Sequence, residues 1–379
     1  MLLLEHDAKE LLARRGLPVP RGALLSMGAI PTPSAPGPWM LKAQVPTGGR
    51  GKAGGIRRAS TETELAEVAA ALRGLAIHGH AVRELRVETA VSGATEAFVG
   101  ITLDASKARL VAMASAEGGV DIEGSAGSLA RAEALPDPAS LQRALDTLLD
   151  QMPPELRGPL AEAGRLIAEA FLDLDATLLE LNPLFILPDG SWVAGDVRMA
   201  VDESALPRQP ELAALLDERG AAYPEAEFKR AQGYDFVVVD PDGEIGLVTT
   251  GAGLSMKLID EMTARSARPY NFCDIRSGMM RGDPTRLVEA LKRVGAGRRM
   301  RVVLVNIFAG ITELGEFADL LLQALRALPE CQVPLVVRLV GNGEERAEEL
   351  LRASGLPLAL ERDLDRAVEL CIAGPHVPA

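Results

Sequence analysis

The stretch 244–360 constrains the fold most. Five short apolar runs recur there: EIGLVTT (244–250), NFCDI (271–275), RVVLVNIF (301–308), VPLVVRLV (333–340) and LPLAL (356–360). Helical patterns such as DPTRLVEALKRV, EFADLLLQALRAL and EERAEELLRAS lie between them. A strand with one wet face alternates polar and apolar residues, and these do not. Uniformly apolar strands separated by crossover helices require a parallel sheet covered on both faces. The C-terminal part therefore reads as a doubly wound α/β domain of flavodoxin-like type. Its binding site is expected at the carboxyl ends of the strands.

The chain upstream is organised differently. Residues 4–15 (LEHDAKELLARR) have the spacing of a short amphipathic helix stopped by Gly16. A Pro-rich stretch (29–38) reads as surface, and WMLKAQV as a strand. A Thr-capped helix follows at 61–75, strands at 85–91, 97–104 and 108–115, and a polar loop, AEGGVDIEG. Helices are expected at 140–152 and 158–174. Residues 177–201 read as a hairpin, two apolar runs joined by a Pro-Asp-Gly turn. Residues 203–230 are dense in Pro, Glu and Arg without strong periodicity. They read as a linker between a domain over 1–215 and a second over 225–379.

Composition excludes several classes of function. Aromatic residues make up 3% of the 379, too few for stacking platforms, and the net charge of −13 argues against a nucleic-acid partner. Cys273, Cys331 and Cys371 are odd in number and widely spaced, so neither a disulfide framework nor a zinc site is expected. The N-terminus is acidic by residue 5 and does not read as a signal peptide. No apolar run reaches the length of a membrane span, so a cytoplasmic protein with no membrane partner is expected.

Against that acidic background, LKAQVPTGGRGKAGG (41–55) gathers Lys42, Arg50 and Lys52 around a run of glycines. It lacks Walker A spacing, and a mobile turn explains the glycines equally well. Lys42 strengthens the phosphate reading: an ammonium inside a buried strand is costly unless an anion meets it. Glu180 and Asn182, two apart on a strand, face one side, with Asp196 close to opposite them on the returning strand. Together they offer oxygen donors suited to Mg²⁺, which completes its shell with water and phosphates. The plainer alternative is that Asn182-Pro183 starts a turn that Asp196 caps. Glu88 and Glu96 read by spacing alone as strand ends, although in a nucleotide cleft Glu88 could accept from an adenine amino group.

The glycine loop, Glu88, MASAEGGVDIE, LELNPL followed by GD, TTGAGLSM, VNIFAGI and VVRLVGN occur in a recognisable order. It is that of the nucleotide-binding β subunits of succinyl-CoA synthetases and malate–CoA ligases. The chain resembles that family along essentially its whole length. The resemblance implies an α+β ATP-grasp domain followed by the flavodoxin-like domain. It also implies a partner α subunit, in an αβ or α2β2 assembly, that binds most of the CoA and carries a catalytic histidine. Such an enzyme makes acyl-CoA from a small organic acid, CoA and ATP, releasing ADP through a phosphohistidine.

Carried over by matching motifs, the nucleotide contacts fall on Lys42, Gly49, Arg50, Gly51, Glu88, Val91 and Glu96. The Mg²⁺ ligands fall on Asn182 and Asp196, and Glu180 faces the incoming phosphohistidine. Pro20 matches a residue that accompanies ATP rather than GTP. The acid-binding stretch falls on Gly310, Ile311 and Thr312, and Thr250 stands where the family has an acid-contacting Asn.

Arg276 replaces a family glycine and adds a guanidinium fork suited to an anionic acid such as malate or sulfoacetate. A salt bridge from Arg276 to the α subunit is an equal alternative. Glu313 places negative charge near a helix N-terminus that would otherwise draw phosphate. His6, His78, His80 and His376 are the only histidines, and none sits in a glycine loop or at the end of a parallel strand. A phosphohistidine is therefore expected from another chain. Two other functions remain open: a single-chain carboxylate–amine ligase, and a non-catalytic nucleotide-binding paralogue.

Overall fold

The computed structural model describes residues 1–26, 28, 29, 36–119, 129–280, 282–329 and 333–374. Residues 30–35 of the Pro-rich stretch, 120–124 of the polar loop, Cys331 and His376 lie outside them. The chain divides into two compact units, Met1–Glu218 and Arg219–Ala379. No helix among the described residues is long and apolar enough to cross a membrane.

The first unit begins with α1 (Glu5–Ala13), after which Gly16 takes the left-handed conformation at φ +87°. Then come β1 (Gly22–Leu25), β2 (Trp39–Gln44), β3 (Ile56–Ala59), α2 (Glu62–Arg73), the two-residue strands β4 (Ala76–Ile77) and β5 (His80–Ala81), and β6 (Glu84–Thr89). Next are β7 (Thr95–Asp104), β8 (Arg109–Ser115), β9 (Ala130–Ala134), α3 (Pro138–Leu149) and α4 (Pro154–Asp173). β10 (Ala176–Ile186), β11 (Trp192–Ala194), β12 (Val197–Val201) and α5 (Pro210–Arg219) complete the unit. Thr61 caps α2, accepting from Glu64 N at 3.2 Å.

Two larger sheets result, one in the order β1-β6-β2-β3 and one in the order β11-β10-β7-β8-β9 with β12 also on β10, and β4 pairs with β5 alone. The glycine loop is the connection of the antiparallel pair β2–β3. The expected hairpin forms, but its returning strand is broken between β11 and β12, and Gly195 and Asp196 occupy the break.

The second unit opens with α6 (Pro224–Gln232) and β13 (Asp235–Val238). β14 (Ile245–Thr249), α7 (Ala252–Ala264), β15 (Asn271–Asp274), α8 (Thr285–Gly295), β16 (Val302–Ala309) and α9 (Leu314–Arg326) follow. β17 (Leu335–Gly341), α10 (Glu344–Ala353), β18 (Leu358–Leu360) and α11 (Leu364–Ala373) end it. The sheet order is β13-β15-β14-β16-β17-β18. Leu247, Val302, Leu304 and Val336 pack with Leu258 of α7 and Val368 of α11 on one face. Val303, Val305 and Val337 pack with Leu287, Phe317 and Leu351 on the other.

Two expectations need correction. The sheet is not wholly parallel, because β13 joins its edge antiparallel to β15. Residues 203–230, read as a linker without regular structure, are largely helical, and the division between the two units falls inside them. Glu203–Arg208 form a 3₁₀ helix, and α5 and α6 bury Leu212, Leu216, Ala226 and Phe228. Their few apolar residues sit among so many charges that a helical period is hard to read, yet each short helix buries its stripe. The Phe317 ring, 1% exposed, fills the centre of the larger core of the second unit. Phe317→Ala is expected to lower unfolding stability by about 3–5 kcal/mol, read by denaturant titration.

Candidate active site

Charge enters the interior of the first unit from four elements. Lys42 is the fourth residue of β2 and 6% exposed. Its Nζ lies 2.9 Å from Glu5 Oε1 and 2.9 Å from Glu88 Oε1, and it donates to the carbonyl of Gly195. The anion that this buried ammonium requires is thus supplied by the chain itself. Lys9 of α1, 0% exposed, reaches the same carboxylates at 2.7 and 2.8 Å, and the Gly195 carbonyl at 2.8 Å.

Arg50, in the glycine loop, spans two acids. Its NH1 is 2.9 Å from Glu5 Oε2, and its NH2 donates to both oxygens of Asp196 at 2.8 and 2.9 Å. Arg86 of β6 holds Glu88 Oε2 at 2.7 Å and donates to the Pro20 carbonyl at 3.1 Å. His6 meets Arg86 at 2.7 Å through Nδ1. Both oxygens of Glu88 are therefore engaged by cations, and an adenine amino group would have to compete with them.

The electrostatics follow from burial and pairing. Burial alone would raise Glu5, but Lys42, Lys9 and Arg50 outweigh it and hold the carboxyl well below its usual range. Glu88 is lowered in the same way, burial being outweighed by Lys9 and Lys42. Burial lowers Lys9, against the pull of Glu5. Asp196 moves the other way: burial raises it, and Arg50 offsets that only in part.

Glu5, Lys42, Arg50, Glu88 and Asp196 face a cleft of about 530 Å³ in the first unit, with Lys9 and Arg86 behind its wall. Lys42, Gly49, Arg50, Gly51, Glu88, Val91, Glu96, Glu180, Asn182 and Asp196 all line it, as does Pro20. Gly49 takes φ +70°, which suits glycine at the turn of the loop. Glu180 lies opposite Arg198 across β10–β12, with Arg198 NH1 at 3.6 Å from its carboxylate. The Asn182 amide donates to the Asp196 carbonyl at 3.2 Å, so the two expected metal ligands are neighbours across the hairpin. The Asn182 side chain bonds the backbone of Gly119 in both directions, at 2.7 and 3.2 Å.

The donor set fits magnesium. Asn182 and Asp196 can offer a metal oxygen ligands inside the cleft, and the Asp196 carboxylate has more lone pairs than the Arg50 and Val197 donors occupy. Among the described residues no cluster of three or more His, Cys, Asp or Glu could hold a metal alone. A two-ligand site matches an ion that draws the rest of its shell from water and phosphate.

In the second unit the expected acid-contacting residues stand at the carboxyl ends of the strands. Thr250 follows β14, and among the described residues its buried hydroxyl has no hydrogen-bond partner. Ser277 and Thr312 hydroxyls meet at 3.1 Å, Gly310 is exposed, and Ile311 is 97% exposed. Arg276 sits in left-handed backbone at φ +48°, its guanidinium half-exposed and 3.4 Å from Asp235 of β13. Its nearest acid is therefore in the chain. Glu313 caps α9, accepting from Glu316 N at 2.7 Å, so a carboxylate of the chain occupies the helix N-terminus that would otherwise draw phosphate. Cys273 and Cys371 are buried, and burial pushes both thiols up, as core residues require.

Residues 2–186 match the sequence profile of the ATP-grasp domain, and residues 248–371 that of the CoA-ligase family. The β subunit of succinate–CoA ligase (ADP-forming) from Chloroflexus aurantiacus is 38% identical over 377 residues, 94% of each chain. The chain belongs to the β-subunit family of ADP-forming acid–CoA ligases. A probable malate–CoA ligase β subunit from Mesorhizobium japonicum is 35% identical, over 97% of this chain and 96% of that one. The ATP citrate lyase of Methanothrix soehngenii, solved with citrate and coenzyme A, shares the fold with a TM-score of 0.70 at 17% identity. That match covers 98% of this chain and 99% of the other.

In this ligase subunit most of the cleft lining and ion network falls within residues 2–186, while Gly195 and Asp196 follow just beyond the ATP-grasp match. Sequence reasoning missed Glu5, Lys9 and Arg86. The available signal was that Glu5 and Lys9, four apart, continue the buried stripe of Ala8, Leu11 and Leu12.

The lowered carboxyls give the subunit a pH signature. Folded-state values below the unfolded ones add stability that is complete above the usual carboxylate range and is lost as pH falls through the lowered values. Thermal midpoints should therefore fall between about pH 5 and pH 3, and Glu5→Gln should be less stable at neutral pH yet lose less on acidification. Melting curves across that range check the sign.

Proposed function

We propose that this β subunit binds a magnesium nucleotide in the cleft of its first unit. With a CoA-binding α subunit it would form acyl-CoA from a small anionic carboxylic acid, CoA and ATP. The observation that carries this reading is the convergence of Lys42 and Arg50 with the oxygens of Glu180, Asn182 and Asp196 on one cleft. Phosphoryl transfer asks a protein mainly for positioning and charge neutralisation, and these residues supply both.

On this reading the γ-phosphoryl group of ATP passes to a histidine of the α subunit, releasing ADP. The histidine delivers it to the acid, giving an acyl phosphate, and the CoA thiol then displaces phosphate to leave the thioester. Among the described residues no histidine lines the cleft, which fits an acceptor supplied in trans. Lys42 and Arg50 would steady the phosphates, with the Gly49–Gly51 backbone close against them. Glu180 would orient the incoming phosphohistidine. Asn182 and Asp196 would hold magnesium, which supplies neutralisation of phosphate charge when bound. Arg50 now clasps Asp196, so that clasp has to loosen as the nucleotide binds. Val91 and Glu96 would border the base and ribose.

Thr250, Arg276, Gly310, Ile311 and Thr312 would receive the acid, with succinate, malate and sulfoacetate as candidates. Arg276 supports an acid with an additional anionic or polar group. A guanidinium in left-handed backbone costs about 1–2 kcal/mol that glycine would not, so a binding role is the economical reason for it.

Two experiments test these assignments in the reconstituted pair. Asp196→Asn should cut CoA-dependent ADP release by about 100-fold or more, as expected when a charge-stabilising group is lost. Normal rates would remove Asp196 from the metal site. Arg276→Gly should raise the melting temperature slightly while raising KM for the acid about tenfold, the loss of one charged contact. An unchanged KM would assign Arg276 to another role.

A further inference from the structure

We propose that Glu5 and Lys9 of α1 are positioning residues for the nucleotide phosphates, one spacing Lys42 from Arg50 and the other setting the charge of the cleft wall. The inference deepens the nucleotide reading of this cleft and rests on it.

The argument begins with repulsion. Lys42 comes from β2 and Arg50 from the loop beyond it, and both are buried against the same cavity. Two cations so placed drive each other apart unless an anion lies between them. Glu5 is that anion: one oxygen meets Lys42 at 2.9 Å and the other meets Arg50 at 2.9 Å. Among the described residues it is the one carboxylate that holds both. Glu88 takes Lys42 but not Arg50, and Asp196 takes Arg50. If Asp196 turns to a metal, Glu5 still holds Arg50 in place.

Lys9 has a different task. It does not line the cleft, and its ammonium is spent on Glu5, Glu88 and the Gly195 carbonyl. Lys9, Lys42, Arg50 and Arg86 are four cations against Glu5, Glu88, Asp196 and Glu10, four anions. The network is therefore charge-balanced, and Lys9 is the member that keeps it from turning net negative without occupying the cavity. Both Lys9 and Lys42 also donate to the carbonyl of Gly195, the residue before Asp196, so α1 and β2 together hold the backbone next to a candidate metal ligand.

The two roles predict opposite effects on nucleotide affinity, which a purely structural role would not. ADP binding to the full-length chain is measured by calorimetry without divalent metal, for the wild type, Lys9→Met, Glu5→Gln and the double variant. Removing the buried positive charge in Lys9→Met should weaken ADP by about tenfold or more. Glu5→Gln removes an anion, so ADP should bind as tightly as before or more tightly. In the reconstituted ligase, however, its kcat should fall by about tenfold with nucleotide KM not raised, because spacing is lost. The double variant restores the charge balance and should bind ADP within about threefold of wild type while keeping the kcat defect.

Should Lys9→Met fail to fold, the charge-balanced double variant carries the test, and a loss of about tenfold in its ADP affinity overturns the proposal. Equal weakening in both single variants, or wild-type behaviour in both, also overturns it. A wild-type chain that binds no ADP removes the nucleotide reading and this inference with it. A wild type that binds beside variants that do not diverge removes the inference alone.

Discussion

The ammonium of Lys42, held between Glu5 and Glu88 inside the first unit, is the contact on which the site depends. A lone buried cation is costly, and here three segments distant in the chain must meet to relieve it: α1, β2 and β6. Once they meet, Arg50 has an acid to rest on and the glycine loop is drawn against the hairpin that carries Asp196. Packing of apolar residues brings these elements near one another. The ion web fixes their register, because the Glu5 and Glu88 oxygens are shared by cations that arrive from all three segments. An ordinary apolar core would tolerate small slips that this arrangement does not.

Much of this was legible in the residues. The parallel part of the second sheet followed from strands with no polar alternation, and the hairpin from its Pro-Asp-Gly turn. Lys42, Arg50, Asn182 and Asp196 stood out because each is a polar group in a place where such groups need a reason. What was hidden had physical causes too. Glu5 and Lys9 lie on an amphipathic helix, where charge is ordinarily read as solvent-facing. That a neighbouring strand brings counter-charges to them is a property of tertiary structure alone. β13 escaped notice because an edge strand of four residues has little periodicity to show. The helices of 203–230 escaped because their apolar residues are few.

The second unit shows how a shared scaffold is varied at its loops. β14, β15 and β16 and the helices that cover them are built from apolar residues with few alternatives in size. At the carboxyl ends of those strands the chain changes character. Among the described residues the Thr250 hydroxyl has no partner, Arg276 takes left-handed backbone, and Ile311 is almost wholly exposed. None of these helps the unit to fold, and the strain of Arg276 opposes it. Residues that a fold tolerates without benefit are where recognition is to be sought.

The burial of the ion web also sets how the site responds to its medium. Pairs on the surface, such as Lys107 with Glu133 and Arg165 with Glu169, sit in water and weaken as dissolved ions gather around them. Lys9, Glu5 and Glu88 are almost wholly excluded from solvent, and mobile ions do not reach between them. Brine would therefore compete with a diffusing anionic ligand at the mouth of the cleft while leaving its inner wall in place. The same protein could thus be washed free of tightly held small molecules and keep the architecture that receives them.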